Sequence, residues 1–283
     1  MNKREEDWTL VVRPQNKLLQ LNLRELWHYR DLVILFVRRD FVSYYKQTIL
    51  GPLWYIIQPV LTAIMYSFVF GTIANIDTPG LPKFLFYLSS ITMWNYFAET
   101  LNKTSNTFIA NAQIFGKVYF PRLTVPLSIV ISSLIAFLIQ LAVFVTVLLY
   151  YNFAGTPLHP NIYLLLLPLL VLVMAGIGLG AGMIISSLTT KYRDLRFLIT
   201  FGVQLLMFAT PVIYPLSAVM GKKKLLLIAN PLSSVIETFR YGFTGVGEFH
   251  WGYLLYSVVF MVAVVAAGSV LFNKVEKSFM DTV

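Results

Sequence analysis

The sequence predicts an all-α integral membrane protein of six transmembrane helices, preceded by an amphipathic helix at the cytoplasmic interface. Three observations carry this. Charged residues make up 12% of the 283 residues, against about 25% in soluble domains. The apolar residues, 57% of the chain, gather into uncharged runs near the ~20 residues a helix needs to cross ~30 Å of hydrocarbon, which favours helices over a β-barrel. Residues 38–59, RRDFVSYYKQTILGPLWYIIQP, pass from a charged helix directly into the first apolar run.

Residues 1–22 read as a polar extension. From residue 23 to about 49 a helical period appears: Val33, Ile34, Val37, Phe41, Tyr44 and Tyr45 share a stripe, and Arg38, Arg39, Ser43 and Lys46 lie off it. A basic amphipathic helix with aromatics on its apolar side belongs in the membrane interface. The alternative, a helix of a small soluble subdomain, is disfavoured by how closely the apolar run follows. Gly51 and Pro52 end the helix, and the first span is expected over 54–73. A breaker-rich turn (75–83) leads to a second span over 84–97, with Glu99 just beyond. Residues 102–122 form a polar loop with a short helical pattern. The third span, 123–151, is long enough to tilt or bend, with Pro126 in its first turn.

The fourth span, 162–188, contains AGIGLGAG, which pairs Gly176 with Gly180 and Gly178 with Gly182. This spacing lets helix backbones approach, and its apolar setting favours packing over phosphate binding. The fifth span starts at 197 and reaches TPVIYP, where Pro211 and Pro215 break it. Such a break is tolerated where protein or water takes up the freed carbonyls. Residues 216–251 form the longest external segment, with Lys222, Lys223 and Lys224, the Asn230-Pro231 turn, and the amphipathic positions Val235, Ile236, Phe239 and Phe243. The sixth span covers 252–272. The chain divides into an N-terminal extension and interface helix (1–50), a six-helix membrane domain (51–273) and a cytoplasmic tail (274–283).

Six spans put both termini on one side together with loops 102–122 and 189–196. That side holds 17 of the 22 Lys and Arg residues; the other holds Lys83, Lys222, Lys223, Lys224 and Arg240. The positive-inside rule makes the termini cytoplasmic, with the lysine cluster a local exception. MNKREEDWTLVVRPQ lacks an apolar core followed by a cleavage site, so the first span is expected to serve as the insertion signal.

Much chemistry is excluded. There are no cysteines, hence no disulfide, thiol nucleophile or thiolate metal site. No GxxxxGK[ST] occurs, so ATP is not bound by that route. His28, His159 and His250 are far apart and lie in no metal-binding pattern; no metal site and no catalytic residue is expected. The net charge of +9 follows membrane topology rather than nucleic-acid binding. No charged residue falls deep within a span, which argues against an ion-driven carrier. The spans offer uncharged polar groups and aromatics instead. Tyr66 and Phe70 on the first, with Tyr87, Trp94 and Phe97 on the second, could form a face that stacks on sugar rings; core packing is the alternative for each singly.

Residues 38–59 resemble the membrane subunits of polysaccharide-exporting ATP-binding-cassette transporters, which export O-antigen, capsule and teichoic acid. The resemblance rests on YRDLV at 29–33, Arg39-Asp40, Tyr45, Lys46, Leu50, Gly51, Trp54 and Pro59. It continues through 117–126, Tyr192-Arg193-Asp194, the bend from Pro211 to Tyr214, and Asn230-Pro231. The longer polar N-terminus and the lysine cluster depart from it. It implies a multi-pass permease of the bacterial inner membrane that moves lipid-linked polysaccharide outward. It also implies a homodimer with a lumen between its halves and two copies of a separate cytoplasmic ATPase that binds ATP and Mg; this chain would be no enzyme and hold no cofactor.

By the same resemblance, Ile114, Phe115, Lys117 and Tyr119 are expected to couple to the ATPase, and Pro211, Tyr214, Asn230 and Pro231 to form an external gate. Arg38, Arg39 and Lys46 are candidates for contact with membrane lipid headgroups or a substrate pyrophosphate, with positive-inside topology as the alternative explanation of their charge. A drug or small-molecule exporter of the same superfamily, and a non-transporting scaffold for polysaccharide synthesis, are the alternatives.

Overall fold

A computed structural model describes residues 23–46, 49–78, 80–118, 120–192 and 194–279. Among them every regular element is helical. The elements are α1 (Leu23–His28), α2 (Arg30–Lys46), α3 (Trp54–Tyr66), α4 (Lys83–Ser105), α5 (Thr107–Ala110), α6 (Ala112–Phe115), α7 (Thr124–Phe153), α8 (Leu167–Thr189), α9 (Leu195–Phe208), α10 (Lys222–Ala229), α11 (Pro231–Thr244) and α12 (Trp251–Phe279).

Among the described residues, four stretches are long and apolar enough to cross a membrane: Gly51–Ile73, Thr124–Phe153, Ile162–Thr189 and Trp251–Val275. The expected second and fifth spans exist as helices but miss that standard for different reasons. Helix α9 is apolar and only 14 residues long. Helix α4 has the length, 23 residues, yet carries Lys83, Glu99 and Lys103 at its ends and hydroxyls along its middle. It tolerates these because it is surrounded by protein. Residues 85–94 are buried without a break, and Ser89, Ser90 and Thr92 donate to carbonyls of the preceding turn at 2.7, 3.2 and 2.8 Å.

The first span is interrupted. It begins in a 3-10 turn at Gly51–Leu53, holds Pro59 in its interior, and ends as a π-helix at Ser67–Ile73. The ammonium of Lys83 donates to the Gly71 carbonyl in that π segment. The last helix runs on to Phe279, so residues 274–279 of the expected tail continue it as helix.

The glycines of α8 work in two directions. A Cβ at Gly180 would lie 2.7 Å from the backbone of Val264 and Val265 on α12, and one at Gly268 would meet the Gly180 carbonyl oxygen at 2.5 Å. Gly178 and Gly182 face α4 instead, against Phe97, Thr100, Leu101 and Thr104. One helix thus presents two small-residue ridges and packs backbone-close to two neighbours.

Two cores result. The larger joins α4, α7, α8 and α11 through residues such as Phe97, Phe137, Phe144, Met174, Ile236 and Phe239. The smaller sits where α2, the 106–122 segment and the ends of α8 and α12 meet: Phe36, Phe108, Phe115, Phe120, Met183 and Phe272.

Candidate functional site

The two ends of the bundle hold different chemistry. At the end of α9 the chain turns through 209–215 in place of a further helical turn. The amide of Asn230 takes up one freed carbonyl, donating to Ala209 O at 3.0 Å, and also donates to the Thr210 hydroxyl at 2.8 Å. Its Oδ1 accepts from Leu232 N at 3.1 Å, capping α11, and Pro231 fills the first turn of that helix, where its missing N–H costs nothing. Tyr214 Oη donates to the Phe208 carbonyl at 2.8 Å. Pro211, Tyr214, Asn230 and Pro231 therefore converge on one bend.

Beneath that bend lies a pair not foreseen as a site. Arg240 and Glu237 are 1% and 2% exposed, joined at 2.8 Å. The guanidinium also donates to Ser90 Oγ at 2.6 Å and the Pro211 carbonyl at 2.9 Å, and lies 3.9 Å from the Phe86 ring centroid. Glu237 Oε1 accepts in addition from Leu216 N at 3.2 Å. Burial pulls the guanidinium below its ordinary pKa, and the Glu237 carboxylate beside it pushes the other way. Such a pair holds only because nearly every donor and acceptor is met. Glu237 and Arg240 stand three apart on one helix, a spacing visible in the sequence, but their burial is not.

At the opposite end the 106–118 segment forms the short helices α5 and α6. Phe115 is 2% exposed, packed against Phe108 and Phe120 with the Arg122 guanidinium 5.4 Å from its ring. It packs the segment against the smaller core, and its side chain is not on the surface. Ile114 is half-buried in the same cluster, Lys117 is exposed, and Tyr119 lies outside the described residues. The exposed stripe is instead Ile109, Ala110, Gln113, Lys117 and Val118.

Helix α2 turns Phe36, which is not on the stripe expected at the membrane interface, toward the protein. Phe36 is buried against Phe120, with Tyr29 and Leu32 beside it, while Ile34 and Leu35 are exposed. Arg38 and Arg39 are exposed; Arg39 reaches Asp40 at 2.8 Å and its guanidinium lies 4.8 Å from the Phe36 ring. The Lys46 side chain lies outside the described residues.

The aromatic set divides. Tyr66 packs edge-on to Phe70 at 5.3 Å and to Tyr87 at 6.1 Å, and both Tyr66 and Phe70 are half-buried. Tyr87, Trp94 and Phe97 sit in the main core, 0, 5 and 1% exposed, and reach no open surface in this conformation.

The sequence signature of ABC-2 type transporters matches residues 31–244, a stretch that holds the 106–118 segment, the bend and the buried ion pair. The chain belongs to the ABC-2 transporter membrane family. Similarity within the family runs nearly end to end: an O-antigen export system permease protein RfbA of Klebsiella pneumoniae is 30% identical over 253 residues, 89% of this chain and 94% of that one. Its namesake in Myxococcus xanthus is 27% identical over 220 residues, covering 77% and 82%. The polysialic acid transport protein KpsM of Escherichia coli is 25% identical over 194 residues, covering 68% and 72%. Membership of this family gives the chain the role of a transporter permease subunit.

Proposed function

We propose that the chain is the permease subunit of an ATP-driven exporter that moves a lipid-linked polysaccharide of the O-antigen, capsule or teichoic acid type across the bacterial inner membrane. It works as a homodimer with two copies of a cytoplasmic ATPase, which binds the ATP and Mg. The observation that carries this is the near full-length similarity to O-antigen export permeases, spanning both ends of the bundle at once. Six spans are proposed: Gly51–Ile73, α4, α7, Ile162–Thr189, α9 with its bend, and α12, with both termini cytoplasmic.

In this reading ATPase contact falls on the exposed stripe Ile109, Gln113, Lys117 and Val118. Phe115, with Phe108 and Phe120, ties that stripe to α2 and α12 so that a push on it moves helices rather than a loop. Arg38, Arg39 and Lys46 meet anionic headgroups or the substrate's pyrophosphate from the cytoplasmic side. Tyr66 and Phe70 are the members of the aromatic set that can border a path between the two copies. Tyr87, Trp94 and Phe97 would join it only through movement of α3. Their burial is the one observation favouring a small-molecule exporter of the same superfamily.

The test is export in vesicles holding the chain and its ATPase. Lys117→Glu with Val118→Asp is expected to abolish ATP-dependent export of the polysaccharide while the two subunits still copurify. Export surviving both changes removes the coupling assignment, and failure of any ATPase to associate favours the scaffold alternative.

A further inference from the structure

Five cations stand on the external side in the proposed topology, and three of them are tied within the protein: Lys83 to the Gly71 carbonyl, Arg240 to Glu237, and Lys224 to Glu248 at 2.7 Å. Lys222 and Lys223 remain, both exposed at the start of α10. This eight-residue helix is entered through Gly221 at φ +66° and left through Asn230. Its inner side is defined by Lys224 on Glu248 and by Ile228, which with Ser233, Glu237, His250 and Tyr253 lines a cavity beneath the helix. Its outer side carries Leu225 and Leu226, 66% and 75% exposed, and Met220 just before the helix is 84% exposed. At ~100° per residue Leu225, Leu226 and Lys222 share an arc of about 100°, and Lys223 borders it.

Adjacent large apolar side chains this exposed match hydrocarbon rather than water. Lysines beside them can lay their stems along the apolar surface and carry the ammonium out to a headgroup phosphate. We propose that α10 docks on the outer-leaflet surface of the membrane, with Leu225, Leu226 and Met220 among the acyl chains and Lys222 and Lys223 on the phosphates of anionic phospholipids. This accounts for a basic cluster on the side the positive-inside rule disfavours: its charges meet lipid. It also fixes one end of the gate segment to the bilayer, while Asn230 at the other end holds the α9 bend. Only the choice of leaflet rests on the topology given above.

The chain has no cysteine, so Leu226→Cys in the full-length protein takes a single bimane label for nanodisc measurements. At equal mole fraction, brominated phosphatidylglycerol is expected to quench it at least twofold more than brominated phosphatidylcholine. Adding Lys222→Gln and Lys223→Gln should bring that ratio to about one while quenching by both lipids persists. Equal quenching in the Leu226→Cys protein before those changes, no quenching at all, or cross-linking of two copies through the introduced thiol each overturns the proposal. So does loss of the phosphatidylglycerol excess on adding a polyprenyl diphosphate, which assigns the lysines to substrate. Lys223→Cys should label with a membrane-impermeant thiol reagent in intact cells; labelling only after lysis overturns the outer-leaflet placement. These readouts need neither ATPase nor export, so their failure leaves the permease reading standing.

Discussion

Arg240 shows how much one side chain can hold. Its guanidinium ties α11 to α4 through Ser90 and to the bend through Pro211, positions 150 and 29 residues away. Removing one partner of a buried pair leaves an uncompensated charge, which costs roughly 3–5 kcal/mol, whereas replacing both with apolar residues is often close to neutral. Arg240→Met alone should therefore lower the melting temperature of the detergent-solubilised protein sharply, and Arg240→Met with Glu237→Leu should recover most of the loss; if the double variant is no better than the single one, the pair is not the source of the effect. Phe115 behaves as core too: Phe115→Ala should cost about 3–5 kcal/mol, while exposed Val118→Ala should leave the melting temperature unchanged. From the sequence, Arg240 was one more external charge and Phe115 a coupling candidate. Neither residue's burial was legible there, because burial is set by partners far away in the chain.

At the scale of elements, the spacing AGIGLGAG foretold close packing, and the structure adds that it serves two partners from one helix. A side chain at Gly180 meets backbone, which cannot rotate away, so Gly180→Val should separate α8 from α12 and cost at least the ~1–3 kcal/mol typical of overpacking. Gly202 on α9 has nothing within 4 Å of an added Cβ. Gly202→Ala should thus be neutral or slightly stabilising in the same melting experiment, since alanine suits a helix better. The breaks at Gly51-Pro52, after Phe208 and at Asn230-Pro231 were legible because glycine and proline act locally. Helix α4 was not: its charged ends and hydroxyls shortened the expected span to 84–97, whereas the helix runs from Lys83 to Ser105. Protein on all sides makes that composition tolerable.

At the scale of the whole molecule, the first span and α9 are the least covered. Leu61, Ile64, Met65 and Phe68 on one, with Phe197, Leu198, Phe201 and Leu205 on the other, are exposed. Lipid or a second copy has to cover these faces, and in the proposed homodimer they would be the ones that close around a path. In a chain without cysteines, single cysteine substitutions at Phe68 and Phe201 should cross-link between copies in membranes, and one at Val259 on α12 should not; the reverse pattern moves the interface to α12.

Composition and spacing by themselves determined that this chain is helical and lives in a membrane, where its helices break, and which family it resembles. These properties are additive along the chain: hydrocarbon thickness selects run length, and proline and glycine act on their own turn. Tertiary structure alone decided that Arg240 is a tether, that Phe115 is an anchor, that three of the five aromatics expected along a pathway are core, and which face of α2 is buried. Those outcomes depend on desolvation and contact between residues up to 150 positions apart, which no local pattern encodes.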